Sequence, residues 1–317
     1  MNESNKNFVF FKTCKVADIS FVIMSNLPED RYEGFRIALL VVNCILFFST
    51  ISLNGISIIT IRRSSQLRSK VCYFVILLQF VVDLIVGSLG IPLFIYYIIS
   101  PFVKTADCNV IISALRITLA SCGLSMIALS AMTLERYMGV LHPYYYQTNV
   151  TKKRILVYMC GSTVVLGLVF AYSFRDRKIF RFILSGSITV FLVFSGFVYL
   201  RVYFVIRKLI RSVRRPACET NGKRNSTKQA IRESRRARSC FLVVICFVVC
   251  LVPSLLTPLL FSVESFDYIV YINWSLTAVL LNSSINSVIF FWMKTLLRKE
   301  ALVTLKALKG KFTFADQ

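Results

Sequence analysis

Residues 109–146 read NVIISALRITLASCGLSMIALSAMTLERYMGVLHPYYY. Up to Leu134 the run carries one charge, Arg116, and it then stops on Glu135 beside Arg136. As a helix, an apolar run of this length crosses a hydrocarbon core of about 30 Å. Lipid offers no partner for backbone N–H and C=O groups, so such a segment is expected to be helical. The charges mark where the span is expected to meet water.

The pattern recurs. Seven spans are predicted, at 35–61, 72–98, 109–134, 155–173, 182–206, 240–263 and 268–293. The chain is 56% hydrophobic and only 17% charged, which excludes an ordinary soluble domain. The expected fold is an all-α membrane protein, a seven-transmembrane helix bundle. The N-terminus lacks the pattern of a cleaved signal peptide, so the first span is expected to act as its own insertion signal.

Net charge is +23, and its placement sets orientation. The segments after spans one, three, five and seven hold 26 of the 38 Lys and Arg residues. The positive-inside rule puts these in the cytoplasm and the N-terminus outside. One loop dissents: SFRDRKIFR, residues 173–181, carries four basic residues on the expected outer side. This basic excess matches anionic inner-leaflet lipid and argues against nucleic acid as a partner. Three parts are expected: an extracellular segment 1–34, a seven-span domain 35–293, and an interfacial helix with a short tail, 294–317. In the last, Leu297, Leu302, Leu305 and Leu308 are expected near one face of an amphipathic eighth helix, amid Lys and Arg.

The ten cysteines include no CxxC pair, so no metal site is predicted. Cys14 and Cys108 are the two expected on the oxidising side, and a disulfide between them is predicted. Asn2 begins an Asn-Glu-Ser glycosylation sequon on that same side.

Polar residues inside the spans point to function. Asp83 sits mid-span, where a carboxylate is costly unless it faces the bundle interior and finds partners. Ser125, Asn54, Asn282, Ser283 and Asn286 are candidate partners. Two readings fit: a structural hydrogen-bond cluster, or a hydrated ion site, with sodium as the candidate ion. In the sixth span Pro253 frees a backbone carbonyl and kinks the helix.

Together these residues resemble the rhodopsin-like (class A) G-protein-coupled receptors. The likeness rests on Asn54, Asp83 with Pro92, Ser125, Glu135-Arg136-Tyr137, Tyr199, Phe247-x-x-Cys250-x-x-Pro253, Asn282 and Asn286, in order along about residues 35–310. Departures accompany it. The family's sixth-span Trp is Leu251, its fifth-span Pro is Phe191, and no Trp lies in the fourth span. Its seventh-span Asn-Pro-x-x-Tyr reads NSVIF, with Ser287 and Phe290 at the Pro and Tyr positions. Residues 173–181 contain no Cys for the usual disulfide.

The resemblance implies roles. Glu135, Arg136, Tyr137, Tyr199, Phe247, Cys250, Pro253, Asn286 and Phe290 would form the switch and G-protein coupling surface. Glu233, twenty residues before Pro253, stands where many members place an acid that pairs with the motif Arg in the silent state. Amine receptors carry an Asp where this chain has Thr118, and opsins need a seventh-span Lys that 268–293 lacks. By analogy the ligand pocket takes Arg116, Thr118, Leu119 and Cys122 from span three and Ile183 and Ser187 from span five. Spans six and seven add Ser254, Leu255 and Pro258, then Leu276 and Leu280. Arg116 has two readings, an anion contact or a side chain snorkelling to the interface.

The expected function is a plasma-membrane receptor, not an enzyme. It binds an extracellular small molecule or peptide and signals through a heterotrimeric G protein. The alternatives are a seven-span transporter or channel, and a receptor-like protein that no longer signals. A transporter needs a continuous polar path, and the inner halves of spans three and six are mostly apolar.

Overall fold

The computed structural model describes residues 10–16, 19–26, 29–100, 108–172, 177–213, 241–256 and 266–315. Two strands, β1 (Phe10–Val16) and β2 (Ile19–Asn26), pair antiparallel with Cys14 opposite Phe21. The helices follow: α1 (Glu29–Arg63), the short α2 (Ser65–Arg68), α3 (Val71–Ile99), α4 (Cys108–Leu141), α5 (Pro143–Asn149), α6 (Lys152–Tyr172), α7 (Arg177–Val213), α8 (Phe241–Leu256), α9 (Phe266–Met293) and α10 (Thr295–Ala315). Six of them, α1, α3, α4, α6, α7 and α9, are long and apolar enough to cross a membrane, and α8 is a shorter apolar helix. Each of the seven predicted spans falls on one of these, so the fold is the expected seven-helix bundle.

Three boundaries differ from expectation. Helix α1 starts at Glu29 rather than 35, and α7 starts at Arg177, so most of the dissenting basic loop is the first turn of a helix. Helix α4 runs on to Leu141, past Glu135 and Arg136. Charged residues are good helix formers once outside lipid, and what stops α4 is Pro143, which disfavours helical geometry at His142. The hairpin is the other addition. Its strands are rich in β-branched and aromatic residues, which suit a pleated surface. β1 lies close to α4.

Close approach of α3 to its neighbours depends on two glycines. A Cβ on Gly87 would sit 2.8 Å from Thr50 Cγ2 of α1, and one on Gly90 would collide with Ser121 Oγ of α4. Residues Val86–Gly90 form a widened π turn just before Pro92. Proline lacks the N–H that would continue the ordinary ladder, and a wide turn accommodates the break. Thr118 Oγ1 donates to the Gly90 carbonyl at 3.0 Å and to the Ala114 carbonyl at 3.0 Å, tying α4 to this turn.

The larger apolar core sits at the end of the bundle that holds Glu135 and Arg136. Phe80 meets Phe290 edge-on with ring centroids 5.6 Å apart, and Phe191 meets Phe247 likewise at 5.4 Å. A second cluster joins Leu39, Leu46, Val86, Ile91, Phe94 and Leu280 on α1, α3 and α9. Helix α6 buries only Ile155 and Met159. Helix α10 turns Leu297, Ala301 and Thr304 inward and leaves Leu302 and Leu305 exposed. This corrects the expected single leucine face for Leu297, Leu302 and Leu305, and the side chain of Leu308 lies outside the described residues. Residues 297, 301 and 304 are one helical face, and 302 and 305 lie on its flank.

The contact between α1 and α9 is polar. Asn43 Nδ2 donates to Thr277 Oγ1 at 3.0 Å, Thr50 and Ser284 share a 2.5 Å hydrogen bond, and Asn54 Nδ2 donates to the Ser283 carbonyl at 3.1 Å. Ser287 Oγ donates to Asn54 Oδ1 at 2.8 Å. These groups are buried, so each bond satisfies atoms that neither lipid nor core can serve. Asn54→Ala strips partners from Ser283 and Ser287. Interhelical bonds in membranes contribute about 0.6–1.7 kcal/mol each, so a loss of about 1–3 kcal/mol is expected. Thermal unfolding of the purified protein in detergent checks it, and an unchanged midpoint would refute a stabilising seam.

Candidate functional site

Asp83 is fully buried in the middle of α3. Its Oδ1 accepts from Ser125 Oγ of α4 at 3.0 Å. Its Oδ2 accepts from Gln79 Nε2 at 3.0 Å and from Asn286 Nδ2 of α9 at 2.9 Å. Gln79 Nε2 also reaches Ser125 Oγ at 3.1 Å, so the two donors are themselves linked. Among the described residues no cation pairs with the carboxylate. One carboxylate thus joins α3, α4 and α9 through neutral donors alone.

Of the predicted partners, Ser125 and Asn286 contact Asp83 directly. Asn54 instead bonds the Ser283 carbonyl and the Ser287 hydroxyl, on the same stretch of α9 as Asn286. Asn282 is buried nearby in sequence, and its Oδ1 has no partner among the described residues. Gln79 was missed. Its signal was available, since a residue four before Asp83 lies on the same helical face. Ser287 was noted only as a departure from proline, yet its hydroxyl makes a bond that proline could not. Gln79 Oε1 and Asn286 Oδ1 are buried and unpaired among the described residues. Unspent carbonyl oxygens flanking a carboxylate and hydroxyls suit a hard cation such as sodium, which takes oxygen ligands. Among the described residues, no group of three or more His, Cys, Asp or Glu could hold a transition metal.

The second cluster lies toward the end of α4. Glu135 and Arg136 form an ion pair through Arg136 Nε and a guanidinium NH2. Both are buried, at 3% and 5% exposure. Adjacent helix positions point apart, so this pairing needs the long Arg side chain to fold back. Tyr146 of α5 donates its hydroxyl to Glu135 Oε1 at 2.5 Å. Burial first, and the Glu135 charge second, push the Tyr146 phenol well above the ordinary tyrosine range, so it stays a donor. Of the three consecutive tyrosines, Tyr144 and Tyr145 are exposed and Tyr146 turns in. Nothing in residues 144–146 taken alone distinguishes them. The discriminator is the short helix α5, which brings the third ring under α4. Lys152 braces the same end, with its Nζ donating to the Arg68 carbonyl at 2.7 Å.

The other residues expected in the switch lie on α4, α7 and α8. Tyr137 is half-buried, 5.7 Å from the His142 ring, and packs on Val198 and Val202 of α7. Tyr199 is buried with its ring 5.3 Å from Phe241. Phe247, Cys250 and Leu251 are buried on α8, while Pro253 is exposed.

The pocket residues scatter more. Thr118 is buried with its hydroxyl on two backbone carbonyls. Leu280 belongs to the α1–α3–α9 cluster. Arg116, Leu119, Cys122, Ser254, Leu255 and Leu276 are half-buried, and Ser187 is exposed. Asn2, Glu233 and Pro258 lie outside the described residues, as do the side chains of Cys14, Cys108 and Ile183.

Comparison with known proteins points to one family. The family model described as "7 transmembrane receptor (rhodopsin family)" matches residues 53–290. The D(2) dopamine receptor A of Xenopus laevis is 26% identical over 220 residues, which cover 64% of this chain and 46% of that receptor. The matched region is thus less than half the length of that relative. The family match covers most of the chain and contains both clusters. The chain belongs to the rhodopsin family of seven-transmembrane receptors.

Proposed function

We propose that the protein is a plasma-membrane receptor, N-terminus outside, that binds an extracellular ligand and activates a heterotrimeric G protein. The observation that carries this reading is the buried Glu135–Arg136 pair held by Tyr146. It is a latch: closed, Arg136 is neutralised by Glu135, with Glu233 as a further acid. Open, the guanidinium is released toward the partner. Ligand binding favours one packing of the bundle over another and shifts their populations. Membership of a receptor family also speaks against an enzyme.

The relative's name links it to dopamine, a protonated amine. Thr118 does not offer a counter-ion, and its hydroxyl is engaged with Gly90 and Ala114. The ligand proposed here is therefore a small molecule or peptide not held through an amine at that position. Asp83, Ser125 and Asn286, with Ser283, would hold sodium, whose charge would compensate the carboxylate. A second reading, a receptor fold that no longer signals, is favoured by one observation: Ser287 ties α9 to Asn54 where relatives carry proline. Basal G-protein activation in transfected cells, at matched surface levels, separates the two.

Four outcomes are expected. Arg136→Ala abolishes basal and ligand-driven G-protein activation at normal surface expression, and full coupling would end the receptor mechanism. Tyr146→Phe removes one hydrogen bond to a carboxylate and raises basal signalling by about two- to tenfold, with Glu233→Ala giving a few-fold at most. Asp83→Asn folds and reaches the surface but loses any sodium dependence of signalling or thermal stability. Cys14 and Cys108 are recovered as a disulfide-linked peptide pair by non-reducing mass spectrometry of surface protein.

A further inference from the structure

Arg201 lies within the apolar stretch Gly186–Val205 of α7 and is nevertheless exposed. The opposite face of α7 packs into the bundle through Phe191, Val198 and Val202. The Arg201 guanidinium lies over the Phe197 ring, 5.4 Å from its centroid, and Arg207 lies over Tyr203 at 6.0 Å. Phe197, Tyr203 and Phe204 are each more than half exposed. Residues 197, 201, 204 and 208 follow one helical face, so Arg201 and Lys208 flank Phe204 on it. The only salt bridge among the described residues is Glu135–Arg136, so neither arginine is paired with an acid there.

A guanidinium facing lipid is costly without an anion. The described membrane spans of a second copy do not supply one. The only acids within the described apolar spans are Asp83 and Glu135, and both are buried. Phosphate does supply one, because a planar guanidinium binds it through two parallel N–H bonds and a lysine adds charge. In the orientation proposed above, this end of α7 meets the cytoplasmic leaflet, where anionic lipids are concentrated. The aromatic rings beside the cations suit the boundary between head groups and acyl chains.

We propose that the outward face of α7 holds an anionic phospholipid of the inner leaflet, its phosphate between Arg201 and Lys208 and its acyl chain along Phe197. The test is native mass spectrometry of the receptor released from nanodiscs of phosphatidylcholine with phosphatidylserine. Arg201→Gln and Lys208→Gln are each expected to lower retained phosphatidylserine about fivefold, the factor one basic residue contributes near an anionic surface. Arg201→Lys retains most of it, and phosphatidylcholine retention does not change. Lys299→Gln, exposed on α10, serves as the charge-matched control and is expected to leave retention unchanged. Equal phosphatidylserine retention by Arg201→Gln and the parent overturns the site. An equal loss in Lys299→Gln overturns it in favour of diffuse charge. Loss of a receptor dimer in Arg201→Gln, with lipid retained, overturns it in favour of a partner chain. Both nanodisc leaflets contain phosphatidylserine, so the outcome is independent of the proposed orientation.

Discussion

A carboxylate placed in the middle of a membrane has to be hydrogen-bonded, and Asp83 organises the bundle through that requirement. Ser125 brings α4, Asn286 brings α9, and Gln79 closes the set from α3 itself. From Asn286 the chain of bonds continues along α9, where Ser283 and Ser287 meet Asn54 of α1. Four helices are therefore held by polar groups that cannot be satisfied by lipid. Apolar packing surrounds them, with Phe80 on Phe290 and Phe191 on Phe247, but such contacts tolerate sliding. Hydrogen bonds at fixed distances set register in a way that interchangeable apolar contacts do not.

The two polar clusters differ in what they can do. The Asp83 cluster contains one charge and only neutral donors. The Glu135 cluster contains both signs of charge and a phenol, and it lies near the end of the apolar span of α4 rather than in its middle. Separating Arg136 from Glu135 exposes charge to water or to a partner, which is far less costly than doing so at mid-span. That difference in depth is what the release proposed for the Glu135 cluster relies on, whereas the Asp83 cluster couples helices.

Most of the architecture was legible because a bilayer constrains sequence so strongly. Every predicted span is helical wherever it is described, since long apolar runs have no other stable form in lipid. Asp83 and Arg136 were legible because charged residues in such runs are few, and Ser125 and Asn286 because the family motifs fall on them. What escaped has local causes. Gln79 is one amide on a helix with a better-known acid one turn away. Tyr146 is one of three identical neighbours, and only the path of α5 singles it out. The polar seam of Asn43, Thr50, Thr277 and Ser284 is spread over two distant segments, with each residue individually ordinary. The hairpin at 10–26 was hidden because its strands precede the apolar runs that dominated the reading, and the extension of α4 because charge was taken as a helix end.

The widened turn at Val86–Gly90 also bears on comparison between relatives. A π turn accommodates one residue more than an α turn, and one residue corresponds to about 100° around a helix axis. The half of α3 from Ile91 onward is rotated by that amount relative to an uninterrupted helix continued from Asp83. Phe94 and Ile98, which point into the α1–α9 cluster, would otherwise be turned well away from it. An ungapped alignment with a homologue lacking this widening would therefore equate an interior position in one protein with a lipid-facing position in the other. Side-chain correspondences made on the Asp83 side of Val86 carry no such offset, and those made beyond Gly90 are sound only after a one-residue gap has been introduced between them.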